Sequence, residues 1–84
     1  MVEQVYFFRF NEVELYELRN CGSKNPLFRG MTSNYSMPLT NREIRELIID
    51  LSNRANELFL VGITDARAEA TASLLIAFRK VIHG

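Results

Sequence analysis

Thr40 followed three residues later by Glu43 has the spacing of a capping box, in which each side chain satisfies the other's backbone N–H at the first turn of a helix. Behind it, Ile44, Leu47, Ile48, Leu51, Ala55 and Leu58 recur at three- and four-residue intervals and share one face, while Arg42, Arg45, Glu46, Asn53 and Asn56 fall mainly elsewhere. Asp50 and Arg54 add a favourably ordered i,i+4 pair. Gly62 offers a left-handed helix end, and Thr64 with Asp65 supplies an oxygen and a negative charge for the next helix start. These signals predict helices over about 41–61 and 65–82, joined tightly enough to form an antiparallel helical hairpin.

The second helix is uneven. Ala66 to Ala72 alternates alanine with polar residues, a surface that lets another helix come close. Leu74, Leu75, Ile76, Ala77, Phe78, Val81 and Ile82 then cover more than the one-sided stripe of a surface helix, so part of this segment needs a second cover, from the first half of the chain or from another subunit.

Val5, Tyr6, Phe7, Phe8 and Phe10, interrupted only by Arg9, read as a largely buried strand. From Glu12 to Arg19 two signals conflict. Val13 and Leu15 alternate with Glu12 and Glu14 as a hairpin partner would, yet Asn11 and Glu14 repeat the capping-box spacing with Gly22 as a possible helix end. The alternation is taken by a small margin. Both prolines and two of the four glycines fall between Gly22 and Pro38, so that stretch reads as turns around one short strand near Leu27 to Tyr35. The expected fold class is α+β: an amino-terminal β-hairpin or short three-stranded meander packed on the carboxy-terminal helical hairpin, in a single domain over residues 1–84.

Length limits what such a domain can do alone. Eighty-four residues bury only about 60% of the unfolded surface, so the core is thin and association is a natural supplement. Ten Lys plus Arg balance ten Asp plus Glu, which removes the overall positive field that favours nucleic acid and the acidity a DNA mimic needs. One cysteine, Cys21, and one histidine, His83, give no zinc pattern, so neither a metal nor a cofactor is expected. The lone cysteine suits a reducing cytoplasm. No basic-then-apolar leader and no apolar run of about 18 residues occurs, which predicts a cytoplasmic protein away from the membrane.

The inventory for catalysis is poor. Cys21 lies near Arg19 and Lys24, but the only histidine is penultimate, so Cys21 reads as an incidental loop or rim thiol and no catalytic residue is assigned. Glu12, Glu14 and Glu17 read as a solvated face. Phosphate-loop patterns are absent, and the Asn34-Tyr35-Ser36 glycosylation match has no secretory signal beside it. Tyr6, Phe7, Phe8 and Phe10 could stack bases, but no basic RNA-binding motif accompanies them and core packing accounts for them better. A ribbon-helix-helix DNA binder would need its short strand directly before the two helices, where this chain has a loop-like basic segment.

That segment is the most informative local feature. Between Leu18 and Arg42 the chain carries Arg19, Lys24, Arg29 and Arg42 and no acid. With hydroxyls, glycines and Tyr35 interleaved, Arg19, Lys24, Arg29 and Tyr35 suit a phosphate-bearing ligand, joined by Arg67 if the second helix starts nearby. In addition, Leu39 to Leu47, followed by Asp65-Ala66-Arg67, resembles the helical hairpin of phage proteins that sequester cyclic-nucleotide immune signals, which implies nucleotide binding. The chain departs from that family in lacking the tryptophan near this position and the glutamine-rich middle of the second helix, and its β-like half has no counterpart there.

The leading expectation is a small non-enzymatic interaction or regulatory module acting as a homo-oligomer, a homodimer being the expected form, with Leu75, Ile76, Phe78 and Ile82 as interface candidates and an unidentified protein partner. The alternative is an oligomeric binder of a small anionic ligand through Arg19, Lys24, Arg29, Tyr35 and Arg67.

Overall fold

The conflict at Glu12 to Arg19 is decided by the capping box. Asn11 accepts from the Glu14 N–H at 2.8 Å, and Glu14 returns a carboxylate oxygen to the Asn11 N–H at 2.9 Å. With two of the first-turn donors satisfied locally, the segment winds into helix α1, Glu12–Asn20, in place of the expected second hairpin strand. The structure, a computed structural model, describes residues 3–21 and 36–83. Its elements are β1 (Val5–Arg9), α1, β2 (Ser36–Thr40), α2 (Asn41–Leu60) and α3 (Ala66–His83). The strand expected near Leu27 to Tyr35 lies outside the described residues.

β1 pairs antiparallel with β2 across α1, in the register Val5↔Thr40, Tyr6↔Leu39, Phe7↔Pro38, Phe8↔Met37 and Arg9↔Ser36. Among the described residues the sheet has two strands, which differs from the three-stranded option. Proline has no N–H, so Pro38 fits this ladder only where no backbone bond is exchanged, which makes Phe7↔Pro38 a non-hydrogen-bonded pair and, two residues along, Val5↔Thr40 another, in keeping with the Thr40 N–H donating to Glu43. Alternation then makes Tyr6↔Leu39 and Phe8↔Met37 the pairs that exchange backbone bonds. Burial along β1 also alternates: Tyr6 and Phe8 pack on the core, whereas Phe7 is 74% exposed. The strand is half-buried, not largely buried, because only one of its faces has helices against it.

Thr40 ends β2 and caps α2, its N–H donating to Glu43 Oε1 at 2.9 Å while its Oγ1 accepts from the Glu43 N–H at 3.3 Å. α2 buries Ile44, Leu47, Leu51 and Leu58. It stops where Gly62 takes φ 77°, which lets the Ile63 N–H reach Leu58 O at 2.8 Å. α3 buries Ala70, Thr71, Leu74, Leu75 and Phe78, and α2 and α3 pack directly on each other with α1 against both. Phe78 joins the helices to the sheet. Its ring meets Phe8 edge-on at 4.9 Å and Phe10 at 6.4 Å.

Two polar side chains run against their expected placement. Glu17, assigned to a solvated face, has no exposed surface, and Arg54 Nε donates to its Oε2 at 2.6 Å. Arg54 therefore turns to Glu17, and to Glu57 at 3.6 Å, instead of to Asp50. Cys21 is also not a rim thiol: it is buried in the core and its Sγ donates to Leu18 O at 3.2 Å.

Candidate functional site

Asp65 and Arg67 fix the start of α3. Asp65 Oδ1 accepts from the Arg67 N–H at 2.9 Å, and the Arg67 guanidinium folds back to the same carboxylate, Nη2 lying 2.9 Å from Oδ2. Those hydrogen bonds hold the Asp65 carboxyl below its usual range and raise the Arg67 guanidinium further above its own. Arg67 borders an open hollow of about 360 Å³ shared with Glu12, Val13, Tyr16, Asp65 and Ala66. Its walls are mainly apolar, and the one cation in it already has its counter-ion. The start of α3 thus meets α1. Arg19 stands exposed in the last turn of α1, while Lys24, Arg29 and Tyr35 lie outside the described residues.

The interface candidates divide. Leu75 is 7% exposed and Phe78 is fully enclosed, so both pack in the chain's own core. The cause is α1 and the sheet, which cover most of the surplus apolar face of α3. Ile82 is half-buried against the same core, and only Ile76, at 65% exposure, projects outward.

No protein family's model, no curated protein and no solved structure matches this chain.

Apart from the single exposed side chains Tyr16, Ile49 and Ile76, the described residues offer neighbouring exposed apolar side chains in two places. At the end of α2, Phe59, Leu60 and Val61 are 79%, 81% and 70% exposed. Phe59 is also part of the wall of a groove of about 280 Å³, with Ala55, Leu58, Ile63, Ala68 and Ala72. The alanines keep its α3 wall low. Sequence reading noticed Ala68 and Ala72 but missed Phe59 to Val61, although an apolar triplet directly before a helix-ending glycine is a usable signal, since a helix cannot turn all three toward one core. The second place is the outer face of β1, where Val5 and Phe7 stand beside Pro38.

Chemistry-bearing groups are sparse among the described residues. No group of three His, Cys, Asp or Glu is placed to hold a metal ion, and no helix is long and apolar enough to cross a membrane. β2 does run straight into α2, so the connectivity asked of a ribbon-helix-helix protein is met after all. However, β2 is already paired within the chain, and the exposed sheet face carries Val5, Phe7 and Pro38 with one arginine, Arg9, which is a poor match to a phosphate backbone.

Proposed function

We propose that the chain is a small, non-enzymatic protein-interaction module of the cytoplasm that works as a homo-oligomer. In this reading α2 and α3 form an antiparallel hairpin, and the turn between them is the end presented to a partner protein. The observation that carries the reading is the exposed run Phe59-Leu60-Val61, of which Phe59 walls the Ala68/Ala72 groove. A small monomeric domain gains nothing in solution from three adjacent apolar side chains in water, whereas large residues beside a low-walled groove suit the insertion of an apolar helix or loop. A rim of charge is available for orientation, with Glu57 exposed one turn back and Asp65 and Arg67 at the start of α3.

A photoreactive residue in place of Phe59 tests this in the producing cells. A discrete adduct is expected, lost when Leu60→Asp is added and not formed from a photoreactive residue at Arg42 on the same helix. Equal labelling from both positions would count against the turn as the docking end.

A further inference from the structure

The two edges of the sheet are unlike. On β2 the outward backbone groups belong to Ser36, Pro38 and Thr40, because the inward ones are engaged with β1. Pro38 has no N–H to offer, and the Thr40 N–H is held by Glu43. That edge is closed to a further strand. On β1 the outward groups belong to Val5, Phe7 and Arg9, and among the described residues nothing pairs with the backbone N–H or C=O of Val5 or Phe7. An edge whose Val5 and Phe7 donors and acceptors have no partner among the described residues, with no proline and with exposed apolar side chains, is a template for another strand, and it lies beside a β2 edge that is blocked.

The strand that fits is a second copy of β1. We propose that two chains pair antiparallel along β1 about a twofold axis at Tyr6, making one continuous four-stranded sheet, and that this is the homo-oligomer on which the functional reading rests. The register follows from the side chains. Two β1 strands align with their outward groups facing when the twofold lies at any one residue from Val5 to Arg9; a twofold at Arg9 overlaps little of the strand, and at Phe8 it sets Phe7 against Arg9 of the partner subunit. A twofold at Val5 sets Glu3 against Phe7 of the partner subunit, and a twofold at Phe7 sets Val5 against Arg9 of the partner subunit. Only the axis at Tyr6 gives like with like: Val5 against the partner's Phe7, each exchanging both backbone bonds with the other, and Glu3 against the partner's Arg9 at both ends. Arg9 is exposed on the Val5–Phe7 face, and Glu3 is exposed two residues before Val5 and continues the same alternation, so opposite charges close the apolar centre at both ends.

Sedimentation equilibrium over a range of protein concentrations reads the outcome, with the wild-type chain expected at twice its 9.7 kDa. Phe7→Lys, at a position that is three-quarters exposed, should weaken the dimer about tenfold or more with the fold intact by circular dichroism. Glu3→Arg should also weaken it by setting like charges face to face, and adding Arg9→Glu should restore it. A dimer indifferent to Phe7→Lys and Glu3→Arg would overturn the β1 edge while leaving the homo-oligomer standing at another surface. A wild-type chain that stays at one mass throughout would overturn both.

Discussion

Arg54 reaches from α2 to a carboxylate that water does not touch: its Nε lies 2.6 Å from Oε2 of Glu17, and its Nη2 lies 3.4 Å from Oε1. The hydrogen bonds to Glu17 raise the guanidinium above its ordinary range against the opposing effect of burial. The two partners are unequal, because the Arg54 side chain keeps 17% of its surface exposed and Glu17 keeps none. Removing the arginine strands a buried charge, whereas removing the carboxylate lets Arg54 swing into water or toward Glu57. Arg54→Met is therefore expected to cost about 3–5 kcal/mol and Glu17→Leu distinctly less, with the double substitution recovering most of the loss. Urea unfolding of the four proteins measures this, and equal costs for the two single changes would show that the pair is not buried as described.

The aromatic residues separate by face. Phe78 fills the space between sheet and helices, so Phe78→Ala should cost about 3–5 kcal/mol. Phe7→Ala, three-quarters exposed in one chain, should leave the unfolding free energy extrapolated to low protein concentration nearly unchanged and act only on association. Denaturation at two protein concentrations distinguishes the effects.

Gly62 holds φ 77° at the end of α2, and a Cβ built there meets nothing within 4 Å. The cost of Gly62→Ala is thus backbone conformation alone, about 1 kcal/mol, and Gly62→Asn should cost less because asparagine tolerates the left-handed region. A thermal melt ranks the three; alanine equal to glycine would mean that the turn takes a different conformation.

Asp65 gives the α3 start an acid limit. Its carboxyl is lowered by the Arg67 hydrogen bonds, so its contribution is present above the unfolded carboxyl range and is lost as pH falls through its folded value. Asp65→Asn keeps the side-chain oxygen that caps the helix and removes the charge. The difference in Tm between wild type and Asp65→Asn should be small but measurable near neutrality, shrink with added salt, and disappear toward low pH. A difference that grew on acidification would contradict the assignment.

Much of the second half was legible because its signals are local. The Thr40/Glu43 box, the stripe from Ile44 to Leu58, Gly62 and Asp65 each act within one helical turn, and helices form where they point. The first half depends on contacts distant in sequence. At Glu12 to Asn20 a period of two competed with a capping box, and two satisfied hydrogen bonds outweighed an alternation of four residues. β2 was hidden by Pro38, which argues against a strand unless its position in the ladder is known. Glu17 looked solvated beside Glu12 and Glu14, yet on a helix it falls in line with Val13 and Cys21, one turn either side, and its partner Arg54 lies in another element. Of the ligand candidates, Arg67 was placed at a helix start correctly, but its satisfaction by Asp65 is a tertiary detail of a two-residue spacing that sequence periodicity does not report.

Amide hydrogen exchange by NMR at residues 5 to 8 tests the β1 pairing most directly. In one chain, Tyr6 and Phe8 donate across to β2 while Val5 and Phe7 point outward, so a lone sheet would show two protected and two fast amides in alternation. The account predicts that Val5 and Phe7 become protected as well, in proportion to the dimer present as protein concentration rises. Fast exchange at Val5 and Phe7 in a sample whose mass is fully doubled would contradict it.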